Sequence, residues 1–362
     1  MEEIKKIFFL FITVALFSGC REKSSEILTF SIDVSTDSQV YLSEIAEKVD
    51  VVKLETTENS LVNTIRSVEI LNNHYIINHG TLVELLMFDL NGQFVKRIGR
   101  IGRGPGEYLG VGAIAVDRER LLLSSRMGIM VFDGDGTFVQ NVEIGIPYFM
   151  YAYNGQLYFL HIRYNKEPGK NNIFLSIYDT ERWNLTDSIL VKSYTATATE
   201  WWPDNRLNYL SRSEKIYVYY PDMDRRMNQR DGPDVLYMLE NQNIVPYLTI
   251  QFTRKGQRNP GIFSINMTDN YAIITHVISV EEAGSQYPKS IPSQYYIDLR
   301  TMKGKNATNG FIDDFHGGDN VIITPIPNTD KFYYYKESDY SPEMRTTPNP
   351  TLYIGTFLTR NR

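Results

Sequence analysis

The stretch Gly99-Arg100-Ile101-Gly102-Arg103-Gly104-Pro105-Gly106-Glu107-Tyr108 holds the residue types best suited to gripping a ligand. Successive backbone amides freed by glycine, flanked by two arginines, make a concave set of donors that suits phosphate or another anion. A phosphate-cradling P-loop, however, needs Gly-Lys-Ser/Thr at the start of a helix, and Pro105 stands where the lysine belongs. Pro105 also offers no N–H. The second reading is a sharp connector between elements, for which glycine supplies positive φ without strain, and the residues favour it. Arg100, Arg103, Glu107 and Tyr108 are the candidate ligand contacts of this stretch. Trp201 and Trp202, set among polar residues in Thr199-Glu200-Trp201-Trp202-Pro203-Asp204-Asn205, are the others. Indole faces stack on sugar rings or anchor protein interfaces, and equally fill gaps between packed elements.

Other chemistries find less. The five histidines, His74, His79, His161, His276 and His316, show neither i,i+4 helical spacing nor a His-Glu-x-x-His pattern. Asp133-Gly134-Asp135-Gly136 lacks the twelve-residue ligand ladder of a calcium loop and reads as a hairpin turn. No Gly-x-Ser-x-Gly elbow occurs. The sequence therefore names no catalytic residue, no metal ligand and no cofactor.

The single cysteine, Cys20, lies at the end of an apolar run. Lys5 and Lys6 precede Ile7 to Phe17, too short to span a bilayer as a mature helix but fit for the h-region of an export signal. Leu16-Phe17-Ser18-Gly19-Cys20 then resembles a bacterial lipobox, which implies cleavage before Cys20 and acylation of its thiol. Residues 1–19 are expected as a lipoprotein signal peptide, 20–38 as a lipidated tether rich in Ser, Glu and Asp, and 39–362 as the folded body. Arg21 is not the aspartate linked to inner-membrane retention, so the resemblance points to the outer membrane, periplasmic or surface-facing. Several acyl chains on one residue make a durable anchor. A body without cysteine excludes disulfides, a thiolate nucleophile and a Cys-ligated zinc.

The body itself is a folded, strand-rich chain. Aromatic residues make up 13% of it, and flat rings suit pleated, half-buried surfaces. A net charge of −6 leaves no basic field for nucleic acid. One unit recurs: an apolar run ending in an acid, a turn, and a second apolar run. It reads Leu86-Met87-Phe88-Asp89, Asn91-Gly92, Phe94-Val95, and again Met130-Val131-Phe132-Asp133, Asp135-Gly136, Phe138-Val139. Weaker copies end at Asp179, Glu240 and Asp298, and a remnant, Leu352-Tyr353-Ile354-Gly355, lacks the acid. Each copy follows a pair of strand-like runs, such as Val68-Glu69-Ile70-Leu71 and Tyr75-Ile76-Ile77 across Asn72-Asn73. Four short strands per copy, joined by Asn-Gly and Asp-Gly hairpins, predict an all-β, six-bladed β-propeller of four-stranded antiparallel blades. Helical periodicity is confined to Leu42–Val49. The last copy has three strands only, and Val51-Val52-Lys53-Leu54-Glu55 is expected to supply the fourth, closing the ring and covering an open edge.

Tyr41-Leu42-Ser43-Glu44-Ile45-Ala46 through Val51-Val52-Lys53-Leu54-Glu55-Thr56, with Gly102-Arg103-Gly104-Pro105-Gly106-Glu107-Tyr108, resembles the six-bladed propeller lipoproteins of gut-type Gram-negative bacteria, relatives of NHL-repeat and TolB-like propellers. The resemblance implies fold and envelope location and carries over no catalytic residues. In such propellers a similar glycine run joins one blade's outer strand to the next blade's inner strand, and Glu107 and Tyr108 would be free to face the central channel. The function expected is a non-catalytic binding or scaffold module recognising a glycan, peptide or envelope protein, with the membrane as partner through the lipid. The alternative is an envelope hydrolase or lyase acting at the channel mouth.

Overall fold

Residues 27–34, 38–80, 84–145, 147, 149–164, 171–194, 210–212, 215–220, 232–253, 261–280, 289–338 and 347–359 are described by the computed structural model. Among them stand six four-stranded antiparallel sheets, the blades of a β-propeller. Blade 1 comprises Ile65–Leu71, His74–His79, Glu84–Asp89 and Phe94–Ile98, from innermost to outermost strand. Blade 2 comprises Ile114–Asp117, Arg120–Ser125, Gly128–Phe132 and Phe138–Val142. Blade 3 is built from Met150–Tyr153, Gln156–Tyr164, Asn171–Asp179 and Leu185–Tyr194. Blade 4 uses Leu210–Arg212, Ile216–Tyr219, Asp234–Glu240 and Asn243–Thr253. Blade 5 uses Gly261–Met267, Tyr271–Val280, Lys289–Asp298 and Lys303–Ala307. Blade 6 takes Thr324–Pro325, Lys331–Lys336 and Thr351–Phe357 from the C-terminal part of the chain and Ala46–Lys53 from the N-terminal part.

The blades stack face to face, which explains why their middle strands are apolar without alternation. Leu85 to Phe88 and Ile129 to Phe132 are all buried, because each blade has a neighbour on both sides. Six apolar clusters fill the six seams. One joins Leu71, Ile76 and Met87 of blade 1 to Leu121, Met130 and Phe132 of blade 2. The others join blades 2 and 3, 3 and 4, 4 and 5, 5 and 6, and 6 and 1. The seam between blades 6 and 1, where Val52, Leu352 and Ile354 meet Val68, Ile77 and Phe88, closes the ring.

The recurring acid has a local cause. Asp89 Oδ1 accepts from the backbone N–H groups of Asn91 and Gln93 at 2.9 and 2.8 Å, holding the turn between the two outer strands. Asp133 does the same for Asp135 and Thr137, Asp179 for Glu181 and Arg182, and Asp298 for Arg300 and Thr301. The short Asp side chain suits such turns. Blade 4 has Glu240 instead, and its turn is a two-residue one in which Asn241 and Gln242 take positive φ. After each of the first two turns an aromatic pair, Phe88 with Phe94 and Phe132 with Phe138, packs edge to face.

Ring closure follows the sequence expectation with shifted bounds: Ala46–Lys53, which leaves out Leu54 and Glu55, pairs antiparallel with Thr351–Phe357, Val51 opposite Tyr353 and Lys53 opposite Thr351. The helical periodicity of Leu42–Val49 amounts to one 3-10 turn, Leu42–Glu44, since the chain becomes strand at Ala46. Val321 does not belong to the innermost strand of blade 6. It pairs with Phe311 in a small hairpin whose Ile312 also receives the chain at Val40 and Tyr41.

Within the span expected as a tether, Leu28–Asp33 form a strand that adds in parallel to Asn243–Thr253 at the outer edge of blade 4. Alternation is the reason: Phe30 and Ile32 are buried in the seam cluster of blades 4 and 5, while Thr29, Ser31 and Asp33 on the opposite face are exposed. Beyond it Ser38 bonds to Thr308 and Asn306 at the end of blade 5. The N-terminal chain thus runs along the perimeter of blades 4, 5 and 6 before completing the last.

Candidate functional site

A propeller offers two faces, and here they differ. Connections between first and second strands (72–73, 118–119, 154–155, 268–270, 326–330) and between third and fourth strands (90–93, 133–137, 180–184, 241–242, 299–302) are short and share one face. Asn72, Asn73, Arg118, Asn154, Met302 and Asn328 take positive φ there, the backbone demanded by tight turns. All long connections leave from strand ends on the other face. They include 99–113, 195–209, 220–233, 308–323 and 337–350.

The axis is bridged at the short-turn face. Asn328, in the first turn of blade 6, accepts from the Tyr151 hydroxyl at 2.7 Å and donates from Nδ2 to the Ala152 carbonyl at 2.8 Å. Tyr151 and Ala152 lie on the innermost strand of blade 3, which stands opposite blade 6 in a ring of six. A bond between opposite blades crosses the axis. No sequence signal marked Asn328, because a Pro-Asn-Thr-Asp turn looks like any other surface turn.

The glycine-rich stretch serves as the connector from blade 1 to blade 2. Gly99 takes φ +64, and a Cβ there would lie 2.7 Å from the ring of Tyr108. The donors expected for an external anion are taken by the chain's own carboxylate. Glu107 accepts from the Gly104 amide at 2.8 Å and from Arg100 Nε at 2.5 Å. The Gly104 amide, then Arg100, hold the Glu107 carboxyl below the usual carboxylate range. Tyr108 is fully buried in the seam of blades 1 and 2, donating to the Ile98 carbonyl at 3.1 Å, with its phenol pushed up to about 12 chiefly by burial. Glu107 and Tyr108 thus point into the connector and the seam, away from the channel, while Arg103 is exposed. Trp201, Trp202 and Cys20 lie outside the described residues.

The histidines are dispersed, and among the described residues no group of three or more His, Cys, Asp or Glu side chains is placed to hold a metal. His161 stacks on Phe174 in blade 3, and His316 bonds the Val49 carbonyl at 2.9 Å, pinning the closing strand. His276, wholly buried in blade 5, meets Phe252 edge to face and Asn306 Oδ1 at 3.3 Å. Burial lowers its pKa from 6.5 to about 4. The folded protein therefore holds fewer protons than the unfolded chain between those values. The stabilisation is whole above pH 6.5 and is lost as pH falls, about 2 kcal/mol of it by pH 5. Thermal melts at pH 7 and pH 5 should show a smaller difference for His276→Gln than for the natural protein. Equal differences would remove His276 as the cause.

Two buried acids were not legible in the sequence. Asp117, at the end of the innermost strand of blade 2, meets Arg120, Thr180 and Gly155 of blades 2 and 3. Glu69, on the innermost strand of blade 1, is 4% exposed, and burial holds its carboxyl well above the ordinary range. Apolar-polar alternation reads Glu69 as solvent-facing, yet in a blade both faces are covered.

The family model described as Domain of unknown function (DUF4934) matches residues 26–352. No curated protein matches the chain. Among solved structures, an exported protein of Bacteroides fragilis NCTC 9343 is similar at TM-score 0.61 and 14% identity, covering 92% of this chain and all of its own. A gluconolactonase of Xanthomonas campestris follows at TM-score 0.44 and 10% identity, covering 90% and 100%. The extracellular domain of a one-component system of B. thetaiotaomicron gives 0.39 and 12%, with 85% of this chain and 40% of that one covered. The first likeness carries the fold. At these identities none carries an activity.

Proposed function

The chain belongs to the Domain of unknown function (DUF4934) family, and from that premise we propose that it is a binding module of the cell envelope. It recognises a glycan, a peptide or an envelope protein at the face of the long connections and catalyses nothing. The observation that carries this reading is the difference between the two faces: Asn328 bonds across the axis to Tyr151 and Ala152 at the short-turn face, and the long connections leave from strand ends on the opposite side. Binding residues sit disproportionately on loops held by a rigid scaffold, and here the scaffold presents them on one face only. Trp201 and Trp202 belong to one of these connections, where indole rings would stack on sugar or anchor a partner. The exported and extracellular character of structural relatives supports an envelope address. An acylated Cys20 would fix it to the outer membrane.

The test uses the Cys20→Ala protein, expected to move from the membrane to the soluble fraction, on a glycan array and in pull-downs from envelope extracts. One variant carries Gly-Ser in place of 195–209, and a second carries substitutions in the turns 90–93 and 133–137. Retention of a specific glycan or envelope component, lost in the first variant and kept in the second, is the expected result. Loss in the second but not the first, or no retained component at all, overturns the reading.

A further inference from the structure

Three buried polar atoms without a hydrogen-bond partner fall on a single six-residue strand, His74–His79: Nδ1 of His74, Oδ1 of Asn78 and Nε2 of His79. Asn78 is 5% exposed. The adjacent innermost strand carries Glu69, 4% exposed, for which no hydrogen bond or ion pair is found among the described residues. Register puts these groups on one side of the sheet. Ser67 pairs with Asn78 and Glu69 with Ile76. Ile76, Leu71 and Met87 face blade 2, whereas Val68, Ile77 and Leu86 face blade 6. Ser67, Glu69 and Asn78 therefore share the face that meets blade 2, next to the channel wall.

What blade 2 sets against them is Ile114, Val116, Leu121 and Leu123, with the buried Ser125 hydroxyl at the strand end engaged by the Met127 amide and the Gly128 carbonyl. The titratable groups on the same side of blade 1 are His74 and Asp89 at the short-turn end and Lys96 on the outermost strand, with Tyr108 arriving from the connector. None of them forms a hydrogen bond or ion pair with Glu69. The seam thus gathers three oxygen-bearing side chains (a carboxyl, an amide and a hydroxyl), and no hydrogen bond among the described residues reaches the carboxyl or the amide oxygen. A buried carboxylate with no counter-charge is costly, and an unpaired amide oxygen adds to the cost.

We propose that the seam between blades 1 and 2 is a binding site for one monovalent alkali cation, Na+ or K+, held by Glu69 and Asn78 with Ser67 beside them. Oxygen-only ligands suit hard cations. One buried carboxylate calls for one positive charge, since a divalent ion would leave a net charge in the same apolar seam. When the cation leaves, Glu69 takes up a proton in its place, so charge stays balanced: carboxylic acid plus cation exchange for cation carboxylate plus a released proton. The site would tie the innermost strand of blade 1 to ionic conditions and would not depend on the ligand-binding face.

Thermal unfolding of the full chain at pH 8 in NaCl, KCl and choline chloride at equal ionic strength tests this, since screening is then common to all three. A ligand that binds only the folded state raises the midpoint. The natural protein should melt several degrees higher in one of the alkali salts than in choline chloride, and Glu69→Gln should melt alike in all three. Asn78→Ala should need about tenfold more of the preferred salt for the same rise. Equal midpoints of the natural protein in the three salts overturn the proposal even if neither variant folds. So does a salt difference that survives in Glu69→Gln.

Discussion

Asp117→Ala should lower the free energy of unfolding by about 3–5 kcal/mol, the usual cost of breaking a buried charge pair from one side. The Asp117 side chain is wholly buried. Its Oδ2 takes Arg120 Nη2 at 2.7 Å and the Thr180 hydroxyl at 2.6 Å, and its Oδ1 takes the Gly155 amide at 3.1 Å. Gly155 and Thr180 lie in the two turns of blade 3 on the short-turn face, so one carboxylate fastens blade 2 to both hairpins of its neighbour. Arg120 in turn donates to the Thr180 carbonyl at 3.1 Å. Truncation leaves a guanidinium, a hydroxyl and an amide facing a vacated space. Next to it, Arg118 and Glu181 form an ion pair whose side chains are 54% and 62% exposed. Exposed pairs contribute less than about 1 kcal/mol, which makes Arg118→Ala the internal contrast. Urea unfolding of the two variants decides: if Asp117→Ala costs no more than Arg118→Ala, the clamp is not holding the seam.

The contrast between those two residues also shows what a sequence can disclose here. The repeated acids Asp89, Asp133, Asp179 and Asp298 were legible because each acts locally, bonding amides two to four residues ahead, so its spacing from the turn is fixed. Six copies of that local unit gave the blade count, and the missing strand in the last copy pointed to Val51 and its neighbours. Asp117 and Asn328 act across blades, on partners tens to hundreds of residues away. No local spacing records such a contact. Glu69 is disguised, because strand alternation assumes one wet face and a blade between two others has none. Glu107 was half legible. The glycines signalled a tight path and the arginines an external anion such as phosphate, but the partner of Arg100 is a carboxylate seven residues along the same chain. The face proposed to bind is legible only as length: connections such as 195–209 and 220–233 exceed what a turn requires.

One buried amide sits at the ring closure. Asn349, 4% exposed and just before the third strand of blade 6, accepts from the Val62 N–H at 2.8 Å and donates to the Ser60 and Glu55 carbonyls at 2.7 and 2.9 Å. Its own N–H reaches Thr56 Oγ1 at 2.9 Å. All four partners belong to the segment that leaves the closing strand and enters blade 1, so the amide joins the two parts of the chain that meet only when the ring shuts. Asn349→Ala leaves the Val62 amide and the Ser60 carbonyl without partners, whereas the Glu55 carbonyl keeps the Ser60 hydroxyl at 2.7 Å. Two orphaned backbone groups at about 1–3 kcal/mol each put the expected loss near 3 kcal/mol. Asn349→Asp keeps the acceptor for Val62 but turns a carboxylate toward two carbonyls, so it should be no milder. Because the fault lies at the closure and not in the blades, the loss has a location. Amide exchange in Ala46–Lys53 and Thr351–Phe357 should quicken well before that in blade 2. If both variants leave these two strands as protected as Gly128–Phe132, the ring is held shut by the apolar seam of Val52, Leu352 and Ile354 alone, and the amide is only an ornament of the turn.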